Sequence, residues 1–171
     1  DVAADGGVTA DPTAVVEREV ETERERIEGL LERDGTNHAE VRAEVQETMT
    51  EHVNVFRTED GLETALEELQ KARRSYQDVA VEDPSRTFNT DLIHTLETRN
   101  IIDLAETIAL GALARTEFRG AHWRAEHQTR KDDEWLKHTM IAWDDGDLDL
   151  YFVPVILDGE NKSYEPVDRS Y

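Results

Sequence analysis

The stretch from Asn89 to Gly120 constrains this chain more than any other, because it holds the longest run of helical periodicity in the sequence. Leu92, Leu96, Ile101, Leu104, Ile108 and Leu113 recur at helical spacing and mark an apolar stripe. Asn89 or Thr90 is the expected cap, and the predicted helix runs from Asp91 to about Ala121. Ala105, Ala109, Gly111, Ala112 and Ala114 interleave with the larger residues. Small side chains on several faces let other backbones approach closely, so this is expected to be the central helix of a bundle.

Three shorter helices are predicted before it. Asp11-Pro12 is a start signal, with Asp as cap and Pro at the first helical position, and Asp34-Gly35 is the stop. Between them the apolar stripe is thin (Val16, Val20, Ile27 and Leu30 or Leu31), while Glu21 with Arg24, Glu23 with Arg26, and Arg24 with Glu28 are spaced for ion pairs. Such a helix is mostly solvated or rests on something outside this chain. The next helix is expected from Thr36 or Asn37 to about Arg57, burying Val41, Val45, Met49, Val53 and Phe56. Thr58 caps a third, with Gly61 in its first turn and Leu62, Leu66, Leu69, Arg73 and Tyr76 on one face, ending before Asp83-Pro84.

Beyond Arg124 the period changes from helical to alternating. Gln128 to Glu134 reads as a charged loop. Trp135, Lys137, Thr139, Ile141 and Trp143 then alternate with Leu136, His138, Met140 and Ala142. Asp144 to Asp147 is turn chemistry, and Leu148 to Leu157 supplies a second strand in which Pro154 marks an edge or an end. The expected fold is mainly α: a three- to four-helix, spectrin-repeat-like bundle with a small C-terminal β-hairpin. Its division is residues 1–35 (variable lead-in and polar helix), 36–127 (bundle) and 128–171 (loop, hairpin and extended tail). A lone hairpin is marginal in water, so this one must lie against other structure.

Composition removes several function classes. The 171 residues hold 40 Asp+Glu against 19 Lys+Arg, a formal charge of -21, and no cysteine. Thiolate metal sites, disulfides and cysteine nucleophiles are therefore excluded. A polyanion is repelled by phosphate backbones, so nucleic acid is not an expected partner. No uncharged run approaches the roughly 20 residues of a membrane span, and the opening at Asp1 carries no leader-like basic and apolar regions. Fifteen of the cations are Arg and four are Lys, and the acidic surface suits a folded protein in concentrated salt, where repulsion is screened.

Most motif classes are empty. The six histidines (His38, His52, His94, His122, His127, His138) include no pair at the i, i+3 or i+4 spacing of a helical metal site, so no metal is expected. There is no glycine-rich phosphate loop, and the four serines (Ser75, Ser85, Ser163, Ser170) offer no nucleophile elbow. No catalytic and no cofactor-binding residue is predicted in this chain. The exception to this blandness is RTEFRGAHWR, residues 115–124, which concentrates Arg115, Arg119, His122 and Arg124 after the most apolar helix. Either these cations complement a helix C-terminus, or their forks dock on carboxylates and carbonyls of a neighbouring domain.

The sequence FNTDLIHTLETRNIIDLAETIALGALARTEFRGAHWR, followed by DDEWLKHTM, resembles the C-terminal region of the flavoprotein subunit of succinate dehydrogenases and fumarate reductases. VQETMTEHVNVFRTEDGL and the closing Asp168-Arg169-Ser170-Tyr171 match the same family in order and spacing, so the resemblance covers about residues 36–171. It implies a helical domain packed on the FAD-binding domain of the same polypeptide, in a subunit that also serves an iron–sulfur subunit. The FAD, the flavin-linked histidine and the substrate residues would lie in parts outside this sequence, leaving a structural, docking role here. Arg115, Arg119, His122 and Arg124 are the candidate docking residues. The implied location is cytoplasmic, peripheral on the inner face of the cell membrane and without membrane insertion. Two alternatives are the corresponding domain of L-aspartate oxidase and a stand-alone acidic interaction module.

Overall fold

A computed structural model describes residues 11–144, 147–159 and 162–163. The lead-in, the Asp145-Gly146 turn centre and the Asp168 to Tyr171 ending lie outside the described residues. Helix α1 spans Pro12–Glu32, strand β1 Thr36–Asn37, α2 His38–His52 and α3 Glu59–Tyr76. Strand β2 is Val79–Ala80, α4 Thr90–Ala114 and α5 Asp132–Trp135. The hairpin strands are β3 Lys137–Asp144 and β4 Asp147–Pro154, followed by the short pair β5 Asp158–Gly159 and β6 Lys162–Ser163. The protein is mainly helical with a small β-hairpin, as the periodicity predicts. Among the described residues no helix is long and apolar enough to cross a membrane.

Local chemistry explains most boundaries. Asp11 accepts from the Thr13 amide at 3.0 Å at the start of α1. Asn37 accepts from Ala39 at 2.8 Å, Thr58 from Gly61 at 3.0 Å and Asn89 from Leu92 at 2.8 Å, each satisfying an orphan first-turn donor. Two helix ends differ from expectation, and Asp132–Trp135 is the short helix α5 where a charged loop and the first strand position are expected. Helix α2 stops at His52 instead of near Arg57, which puts Phe56 outside the helix and 78 % exposed. Helix α4 stops at Ala114 instead of near Ala121, so Arg115 to Arg124 is a loop.

The chain divides into two compact units, residues to Glu44 with Ala72–Ile101, and Val45–Lys71 with residues from Ile102 onward. In the first, β1 and β2 pair in parallel, and Leu30, Val41, Ala72, Val79, Val81, Thr95 and Thr98 are buried. The end of α1 is tied in through the Val81 amide on the Leu30 carbonyl and the Arg33 guanidinium on the Val79 carbonyl. Tyr76 donates to the Thr95 carbonyl at 2.9 Å.

In the second unit Val45, Val53, Leu62, Ala65, Leu69, Ile102, Ala105, Ala109 and Ala112 are buried. The face of α4 that is buried thus uses alanines and Ile102, while Leu104 and Ile108 are half or more exposed, which corrects the stripe expected from apolar spacing. Strands β3 and β4 are antiparallel with Lys137 opposite Pro154 and Trp143 opposite Leu148. A Cβ added at Gly111 would sit 3.7 Å from Thr139 and 3.9 Å from Ile141, so the hairpin rests on this unit's helix through a gap that a small residue leaves.

Candidate docking site

The loop after α4 is built around one carboxylate. Glu117 is fully buried, and its oxygens accept from Arg115 Nε (2.9 Å), Arg119 Nε (2.7 Å), Arg119 Nη2 (3.0 Å) and the Lys131 amide (3.0 Å). Burial alone would raise its pKa, but these four donors outweigh it and hold the group below the usual carboxylate range. Arg119 reaches on to Asp132 at 2.7 Å, and Arg130 grips the same carboxylate at 2.7 and 2.6 Å. The two arginines bring the Asp132 pKa down to about 2.

Each predicted docking residue has partners within its own unit. Arg115 donates to the carbonyls of Lys137 (3.0 Å) and Trp135 (2.5 Å) and to Thr139 Oγ1 (3.2 Å), joining the end of α4 to the start of β3. Its guanidinium also lies 5.3 Å from the Trp135 ring centre. Arg124 is buried, donating to the Leu113 carbonyl at 2.7 Å and to Glu59 at 3.0 Å. It braces the last turn of α4 against the first residue of α3. Of the four, Arg124 does complement the end of α4, and it does so by a direct bond from the loop rather than from inside the helix.

His122 completes the set. Its Nε2 lies 2.9 Å from the Arg115 carbonyl, and its Nδ1 lies 3.3 Å from Arg57 Nη1. Arg119 and His122 exchange two backbone hydrogen bonds (3.1 and 2.9 Å) around Gly120-Ala121. Gly120 has φ +58, the left-handed value that the first central residue of such a tight turn needs. Beside the turn, Trp123 meets the exposed Phe56 edge-on at 5.3 Å, and Val55 is also exposed. Sequence reasoning missed Glu117 and Arg57, the hub and the clamp. A single Glu among 40 Asp+Glu carries no signal, although its position two residues from both Arg115 and Arg119 could have drawn attention.

The family described as fumarate reductase flavoprotein C-terminal domain matches residues 42–171. The succinate dehydrogenase flavoprotein subunit of Rickettsia bellii is 38% identical over 137 residues, covering 78% of this chain and 23% of that one. The fumarate reductase flavoprotein subunit of Mycobacterium tuberculosis is 33% identical over 164 residues, covering 94% and 27%. A solved quinol fumarate reductase of E. coli superposes with a TM-score of 0.79 at 31% identity, over 87% of this chain and 26% of that one. The chain belongs to the family of C-terminal domains of succinate dehydrogenase and fumarate reductase flavoprotein subunits. It spans about a quarter of the length of the relatives it matches.

A flavoprotein family raises the question of whether these residues fit a flavin. The described parallel pair, β1–β2, has two residues per strand, and a Cβ on Gly35 just before it would lie 2.2 Å from the Asp78 carbonyl oxygen. The space beside that glycine is filled by the chain itself, not shaped for a pyrophosphate. Gly35 therefore offers a pyrophosphate no cradle. No group of three or more potential metal ligands occurs among the described residues either.

Proposed function

We propose that this chain is the C-terminal domain of a subunit that interconverts succinate and fumarate. The rest of that subunit would hold FAD, which supplies the two-electron acceptor, and electrons would pass to an iron–sulfur subunit. The observation that carries this reading is the family match over residues 42–171, with succinate dehydrogenase and fumarate reductase flavoproteins among the relatives. The complex would be cytoplasmic and peripheral on the inner face of the membrane.

The domain's own contribution is to dock. Arg115, Arg119, His122 and Arg124 have their polar partners inside the chain, so their contribution to docking is to brace a rigid loop. What faces outward is the loop's Gly120-Ala121 and, from the α2–α3 junction, the exposed Phe56 beside Trp123. A rigid turn flanked by an aromatic pair suits a protein surface, because little entropy is lost when it is covered. The FAD-binding domain of the same polypeptide is the proposed partner. Dye-linked assays of the full-length subunit test the activity. Succinate-dependent reduction is expected, whereas turnover of aspartate without succinate would transfer the chain to the L-aspartate oxidase alternative.

A further inference from the structure

We propose that His122 is a pH-sensitive latch, which as a neutral ring closes the Arg115–Arg124 loop onto the α2–α3 junction and on protonation lets it open. The argument begins from what the two partners can do. The Arg115 carbonyl only accepts, so the Nε2 atom 2.9 Å away carries the hydrogen. A guanidinium only donates, so the Nδ1 atom facing Arg57 Nη1 at 3.3 Å is bare. Together they select one tautomer of the uncharged imidazole.

Arg57 cannot easily swing away to make room for a second proton. Its Nε donates to the Val53 carbonyl at 2.9 Å, and its own carbonyl accepts from the Ala125 amide at 2.9 Å. The charged groups around the ring are Arg57 from the junction, Arg115 from the end of α4 and Arg124 from the loop. The acids nearby are committed to those arginines: Glu117 to Arg115, and Glu59 and Glu126 to Arg124. A protonated ring would place N–H against N–H across 3.3 Å, within a cationic surround. Relief comes when the ring leaves, and with it the Arg119–His122 turn separates from the junction.

The direction with pH follows. Burial, with the three cations adding to it, holds the folded ring's pKa below 6.5, although the Arg115 carbonyl pulls the other way. The open form therefore binds the proton first. The closed form's advantage is complete above about pH 6.5 and falls as pH drops toward the folded value, by about tenfold per pH unit at most. Glu117, Glu126 and Asp132 all titrate below their usual carboxylate values, so their acid loss sets in only below the pH at which the His122 loss begins.

Nitrogen-15 NMR of the histidine rings in the 171-residue chain tests the latch. His122 should show the Nε2–H tautomer at pH 7.5 and a midpoint below 6.5. Amide exchange supplies a second reading, with an interior α4 amide such as Ala109 cancelling the intrinsic pH dependence. Protection of Ala125 relative to Ala109 should fall by up to about tenfold per pH unit in that window. His122→Gln keeps a donor and an acceptor without a titrating charge, and it should abolish the fall. An Nδ1–H tautomer, a midpoint at or above 6.5, or an unchanged fall in His122→Gln overturns the proposal. Should that variant not fold, the wild-type ring titration decides alone.

Discussion

Helix α1 and the loop from Arg115 to Asp132 use the same Arg–carboxylate chemistry in opposite settings. On α1, Arg24 meets Glu21 at 2.7 Å with side-chain exposures of 60% and 57%. In the loop, Arg119 meets Glu117 at the same 2.7 Å, but the carboxylate is fully enclosed. Distance alone would rank the two pairs as equals. Solvent decides otherwise: an exposed pair is screened and loses side-chain entropy, while a buried carboxylate without its donors is an uncompensated charge. The loop is therefore where the fold depends on single residues, and α1 is where charge serves solubility.

Glu117→Ala breaks that contrast hardest. It strips Arg115, Arg119 and the Lys131 amide of a shared acceptor, and about 3–5 kcal/mol of unfolding free energy should be lost. Chemical denaturation of the 171-residue chain measures this through the transition midpoint. A loss below about 1 kcal/mol would mean that water replaces the carboxylate and that the site is not sealed.

Gly120→Ala separates backbone strain from charge within the same loop. No atom lies within 4 Å of the position an added Cβ would take, so sterics with neighbours contribute nothing. The left-handed φ of +58 remains, at a cost of about 1–2 kcal/mol for a residue with a Cβ. The expected midpoint shift is clearly smaller than for Glu117→Ala. A larger shift would show that the turn, not the carboxylate, holds the loop in place.

The same contrast explains which parts of the fold could be read in advance. The caps at Asp11, Thr58 and Asn89, the start of α2 beside Asn37 and the alternation of β3 from Lys137 onward are local, encoded within a few residues, and they stand as expected. The end of α4 is not local. Nothing between Ala114 and Ala121 forbids a helix except Gly120; what stops it is that Arg115, Glu117 and Arg119 find better partners at Lys131, Asp132 and Lys137. The buried face of α4 was misread for a related reason. Apolar spacing points to Leu104 and Ile108, yet close approach selects Ala105, Ala109 and Ala112, and the larger residues are left outside. The four basic candidates were legible as a cluster because cations are scarce here, whereas their acidic hub was hidden among its kind.

Arg24→Ala is the smallest test and completes the comparison from the other side. Its partner Glu21 is one turn away, both side chains are exposed, and the removed bond can be replaced by water at once. The change should stay within about 0.5 kcal/mol, near the resolution of a denaturation curve. Salt sharpens the reading, since an exposed pair is screened within about 3 Å at 1 M. The small penalty should vanish there, while that of Glu117→Ala, whose carboxylate is enclosed, should persist largely unchanged. If both penalties faded together with salt, the buried setting of Glu117 would confer no protection. The distinction between a solvated helix and a charge-centred loop would then collapse into one class of surface ion pair.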